Sequence, residues 1–244
     1  MAITGREAFL ARVSKALKKS VEVPEPDNAT HLGLTDDDVG SLAAEVRIRM
    51  TEEADLLLEL LAKSASAAGW KVSRVASPED AADVVAKICS DAGTTNVLRS
   101  DQDIFDSTPV DAALEAVGIT PGVATVGQVS KDIEGLKSAA FAAEVGITGV
   151  DYAIAETGTV VLHPREGLSR LVSLAPGRHI AILNRGDVLP SMDDLFTLER
   201  HDYNSHQIEG SMNLISGPSR TGDIGATIVD GIHGPFEVHL VIVQ

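Results

Sequence analysis

A chain of 244 residues, 44% hydrophobic and 23% charged, is long enough to bury a substantial core without disulfides. Its one cysteine, Cys89, excludes an intramolecular disulfide and any thiolate cage for zinc or an iron–sulfur cluster built from this chain alone. The net charge of −16 would repel a phosphate backbone, which disfavours nucleic-acid binding.

No apolar run approaches the ~20 residues of a membrane span, and the N-terminus lacks the basic, apolar and small-residue order of a signal peptide. A soluble, cytoplasmic protein is expected, in which the sequon at Asn28 has no meaning. Charge is uneven. Residues 1–20 hold Arg6, Arg12, Lys15, Lys18 and Lys19 against Glu7, so this arm carries +4 and the remainder −20.

In the arm, Phe9, Leu10, Val13, Ala16 and Leu17 recur at helical spacing, which predicts a short amphipathic helix with a cationic face. A partner, the protein's own acidic body or a membrane surface could receive it. Pro24, Pro26, Asn28 and Gly33 then mark a linker, so residues 1–35 read as an appendage and 36–244 as the main domain. From Asp36 to Gly69 the apolar spacing predicts one long helix, or two broken near Thr51.

Beyond it, strand-like and helix-like segments alternate. Lys71 to Ala76 reads as a strand, and Ser77-Pro78-Glu79-Asp80 as the capped start of a helix reaching Cys89, itself a small buried residue. Asn96 to Leu98 is a strand, Val110 to Val117 a helix closed by Gly118, Gly122 to Val126 a strand, and Lys131 to Val145 a helix closed by Gly146. Tyr152 to Leu162 reads as two β segments meeting near Thr157-Gly158, with further strands at His179 to Leu183 and Val238 to Val243 and a helix opening at Ser191. This alternation predicts an α/β fold with an open, mainly parallel sheet covered by helices on both faces.

Three segments concentrate chemistry. Gly217, Ser219, Arg220, Thr221, Gly222 and Asp223 combine backbone N–H groups, hydroxyls, a guanidinium and a carboxylate as an anion cradle would; the same composition also fits an ordinary turn. The spacing is neither that of a Walker loop nor that of a hydrolase elbow. Glu156, interrupting a β-forming run before Thr157-Gly158, offers a base, nucleophile or orienting group, or simply the solvent side of a hairpin. His233, between Gly231 and Gly234-Pro235, offers a proton shuttle or donor, or a structural turn histidine. The remaining histidines show no metal-ligand spacing, and Arg185, beside Gly186, reads as an exposed turn.

Taken in order, Ala155-Glu156-Thr157-Gly158-Thr159-Val160-Val161-Leu162, Pro176 to Ile180, Gly217-Pro218-Ser219-Arg220-Thr221-Gly222-Asp223-Ile224 and Gly231-Ile232-His233-Gly234-Pro235 resemble the signature of the lactate-utilisation (LUD) domain family, within it the lactate-utilisation protein C branch. The resemblance is strongest from Gly149 to Gln244. It implies a fold similar to the sugar-phosphate isomerase and CoA-transferase superfamily (NagB/RpiA/CoA transferase-like), with ligands at strand carboxyl ends. It also implies a non-redox role in oxidising L-lactate to pyruvate, beside partner proteins that carry the iron–sulfur clusters, with no cofactor bound by this chain. Longer relatives carry Cys-rich ferredoxin-like segments, which this chain lacks.

On that reading Ser219, Arg220 and Thr221 grip a small carboxylate or phosphorylated ligand, with Glu156 and His233 beside them as catalytic groups. Two alternatives stand. One is an independent enzyme of the CoA-transferase or isomerase type using Glu156; the other is a scaffold tethered by the basic helix. Fold kinship does not by itself transfer a reaction.

Overall fold

The structure, a computed structural model, describes residues 9, 12–16, 35–124, 133–204, 211–224 and 227–244. The chain divides into two compact units between Asp38 and Val39. In the first, Phe9 and residues 12–16 are helical; the rest of the expected basic helix, and residues 20–34 of the linker expected over 20–36, lie outside the described residues, and Asp36 already opens a helix.

Helix α1 (Asp36–Glu52) starts at Thr35, whose hydroxyl and Asp38 exchange hydrogen bonds in a reciprocal cap. Helix α2 (Ala54–Ala68) follows after a break at Glu53 and ends on Gly69 in the left-handed conformation, φ 103°. Strand β1 (Lys71–Val75) leads to α3 (Pro78–Asp91), capped by Ser77 Oγ accepting the Asp80 N–H at 3.1 Å with proline in the first turn. Then come β2 (Val97–Ser100), α4 (Ile104–Ser107), α5 (Val110–Ala116), β3 (Gly122–Ala124) and α6 (Ile133–Ala142).

From here the chain departs from the sequence reading. The helix expected to reach Val145 stops at Ala142, and Val145–Gly149 is strand β4, the most buried kind of segment in an α/β sheet. Gly146 caps nothing: it lies within the strand, where a Cβ would collide with the Val172 carbonyl of the covering helix α7 (Arg170–Leu174). Only Ala143 and Glu144 stand between the helix-forming alanines and the strand, with no Gly, Pro or Asn to mark the boundary.

Strands β5 (Tyr152–Ile154) and β6 (Thr159–Leu162) form the expected hairpin, followed by β7 (Arg178–Asn184), β8 (Val188–Leu189), α8 (Met192–Asn204), β9 (Asn213–Ile215), β10 (Arg220–Ile224), β11 (Thr227–Asp230) and β12 (Glu237–Val243). Six strands, in the order β1-β12-β7-β4-β2-β3, make one sheet in which every pairing is parallel. Strands β8-β5-β6-β9 make a smaller mixed sheet, and β10-β11 a separate antiparallel ribbon.

Alternate residues of the parallel strands feed two cores. Leu58, Leu61, Ala181, Leu183, Leu240 and Ile242 pack on the α2 face, and Val85, Cys89, Leu114, Ile180, Ile182 and Val241 pack under α3 and α5. Both faces are thus apolar, and each fully buried aliphatic contributes ~1.5–3 kcal/mol. Burial pushes the Cys89 thiol up to about 11, which leaves it inert. No helix among the described residues is long and apolar enough to cross a membrane.

Candidate functional site

The C-terminal end of α2 gathers two of the three sequence motifs, and the third joins them through Ser219. The Glu156-Thr157-Gly158 turn sits on its flank: Ser64 Oγ donates to the Ala155 carbonyl at 2.6 Å, and Gly158, φ 66°, lies so near the Ala65 backbone that a Cβ would collide with it. One turn further on, Gly217, φ 107°, presses on the Ala68 carbonyl, while Pro218 and the Arg220 guanidinium stand over Gly69. A row of hydroxyls joins the two turns, Thr157 Oγ1 to Thr159 Oγ1 at 2.8 Å and on to Ser216 Oγ at 2.7 Å.

The third motif interlocks with the second. The Ser219 N–H donates to the Pro235 carbonyl at 2.8 Å, its carbonyl accepts from Gly231 N–H at 2.9 Å, and its Oγ accepts from His233 N–H at 3.2 Å. Because Phe236 N–H in turn bonds Gly177 O, just before β7, this pair of turns lies at the amino ends of β7 and β12. Arg220 opens β10 and pairs with Asp230 across the ribbon at 3.5 Å, both more than half exposed. It also supplies the positive charge that the last turn of α2 lacks, where the helix dipole is negative.

Thr221 continues β10 half-buried, and Gly222 is exposed. The Asp223 backbone belongs to β10. Glu156 is exposed, and its Oε1 accepts the Met192 N–H at 2.8 Å, so its carboxylate faces the first turn of α8. A shallow depression of about 480 Å³ runs beside it, between Lys63, Ser64 and Ala67 of α2 and Thr157. His233 is exposed beside Ser219.

A second concentration of polar groups was not singled out by sequence reasoning. A cavity of about 220 Å³ lies at the carboxyl ends of β2, β4 and β7, between Gln102, Gly149, Asp151, Arg165 and Asn184. Here the strand order reverses: β2 leads outward to β3, whereas β4 leads the other way to β7. Open parallel sheets bind ligands at such switch points.

One wall of this cavity is a charge network. Asp151 accepts both arms of Arg165 at 2.7 and 3.0 Å, the His163 N–H at 2.6 Å, and faces His163 Nδ1 at 3.2 Å. His163 Nε2 meets Glu199 Oε1 of α8 at 2.7 Å. Burial alone would lower the imidazole, but its hydrogen bonds to Asp151 and Glu199 and their charges outweigh this and raise it to about 9. Burial likewise opposes ionisation of Asp151, yet the bonds from His163 and Arg165 hold its carboxyl below the usual range. His163 and Asp151 are therefore both charged at neutral pH. The available signal was Asp151 two residues past a strand end, but it becomes meaningful only once β4 and the strand order are known.

Among the described residues no group of three or more His, Cys, Asp or Glu is placed to hold a metal ion. Fold and site together define a doubly covered parallel α/β protein with polar features at both ends of its sheet. The LUD domain family model matches residues 58–243, and the chain belongs to that family. Lactate utilization protein C of Halalkalibacterium halodurans is 28% identical over 99% of each chain, and that of Bacillus velezensis 27% identical over 99% of this chain and 97% of its own. The Bacillus subtilis protein of the same name is 36% identical over 42% of this chain and 43% of its own. The fold is shared with a DUF162 family protein from Deinococcus radiodurans, with a TM-score of 0.53 at 18% identity, covering 78% of this chain and 98% of that one.

Proposed function

We propose that this chain is a lactate-utilisation protein: the non-redox subunit of a cytoplasmic system that oxidises L-lactate to pyruvate beside iron–sulfur partners, binding a small anionic ligand. The observation that carries the reading is similarity along nearly the whole length of relatives named Lactate utilization protein C. With a single buried cysteine, the chain offers no cluster ligands of its own, so electrons would pass through partner subunits.

The ligand reading rests on the interlocked turns. Gly217, Ser219, Arg220, Thr221, Gly222 and Asp223 supply the cradle, with His233 fixed on Ser219 and Glu156 at the far end of the hydroxyl row. Among the described residues the Arg220 guanidinium has one exposed, single-contact ion pair, worth little in water, so an incoming carboxylate can replace Asp230 on its fork. Complementation of a deletion strain on L-lactate tests this. Arg220→Ala should restore growth poorly despite normal protein levels; full restoration would remove the anion grip.

A further inference from the structure

The cavity at the switch point is used by none of these motifs, and its lining defines what it can accept. Gly149 keeps it open: a Cβ there would lie 2.9 Å from Ile104 Cγ2 and 3.2 Å from Gln102 Nε2. The Gln102 carboxamide is fixed by its oxygen, which accepts the Ser100 hydroxyl at 2.6 Å and the Gly149 N–H at 2.9 Å. Its NH₂ group is thereby left as a donor with no acceptor among the described residues.

Around it stand the carboxylates of Asp151 and of exposed Asp101, Asp103 and Glu166 against one lining cation, Arg165, which Asp151 already holds through both of its oxygens; Arg99, held by Asp111, comes within 3.9 Å of Asp101. A free carboxylate or phosphate entering here meets four like charges and no uncommitted cation. Hydroxyl groups meet the opposite situation, because ionised carboxylates accept their protons and the Gln102 amide donates to their oxygens. The space is smaller than the ~300–1,000 Å³ of drug-sized pockets, which suits a ligand of few carbons.

We infer that this cavity is a binding site for a small uncharged polyol, whose hydroxyls donate to Asp101, Asp103 and Glu166 and accept from the Gln102 carboxamide. The Asp151–Arg165–His163–Glu199 network is its rigid wall. The site is separate from the Arg220 turn and does not depend on the lactate reading.

Isothermal titration of the full chain with meso-erythritol and D-arabitol, against L-lactate, pyruvate and inorganic phosphate, tests the inference. The polyols should bind at millimolar levels and the three anions more weakly. Asp103→Ala removes a carboxylate that makes no side-chain hydrogen bond in its N-cap position, so the fold should persist while polyol affinity falls about tenfold. Gly149→Ala should abolish binding by filling the cradle. Tighter binding of any of the anions, no polyol binding up to about 100 mM, or unaltered polyol affinity in either folded variant overturns the proposal.

Discussion

At the scale of single residues, His163 shows how environment decides protonation. Its ring is nearly buried between two carboxylates, and its folded value of about 9 lies above the ordinary 6.5. A raised value means that the folded state binds the proton more tightly than the unfolded chain. This contribution is fully present below pH ~6.5 and is lost as pH rises through about 9. Asp151, depressed, acts in the opposite direction: its contribution holds above its ordinary value of 3.8 and is lost as pH falls through its lower folded value. Denaturant titrations should therefore show stability declining between pH 6.5 and 9. His163→Gln should flatten that decline and cost about 1–3 kcal/mol at pH 6, since half-buried Glu199 loses its cation while Asp151 keeps Arg165. An unchanged pH profile in the variant would show that the imidazole is not the group responsible.

Arg220 illustrates the limit of residue-level reading. Its neighbours Gly217 and Ser219 identify a turn, and the turn exists, but the partners that define its use, Asp230 and the end of α2, come from 10 residues later and about 150 residues earlier.

At the scale of elements, most of the fold was legible because apolar periodicity and caps agree locally. The Ser77 cap, the Gly69 stop and the β5–β6 hairpin at Thr157-Gly158 all stand where their side chains predicted. What stayed hidden were elements made by tertiary pairing alone. Strand β8 has two residues and exists because Val188 and Leu189 align with Ala153 and Ile154. Arg220–Ile224, read as a loop between strands, is itself a strand because it pairs with Thr227–Asp230. Strand β4 was missed, its first residue read as the end of a helix and Gly146 as its stop, and with it went the switch point, so the candidate cavity could not be derived from the sequence. Gly146 offers a direct check. Gly146→Ala places a methyl against the Val172 carbonyl, and chemical denaturation should show a loss of at least ~2 kcal/mol, whereas a glycine serving as a helix stop would cost about 1 kcal/mol.

At the scale of the whole molecule, the architecture separates two polar regions. The carboxyl ends of β2, β4 and β7 hold an acidic cavity braced by the His163 network, while the amino ends of β7 and β12 hold the interlocked turns around Ser219 and His233, both within the span of the LUD domain match. Gly158 and Gly217 seat both motif turns against the same end of α2. The sequence motifs pointed to the second location and the strand order to the first, and neither alone defines the chemistry.

Growth after deletion of this gene in its own host tests the role in lactate utilisation most directly. The expected result is loss of growth on L-lactate as sole carbon source, undiminished growth on pyruvate, and rescue by the wild-type chain. Unimpaired growth of the deletion strain on L-lactate would contradict it.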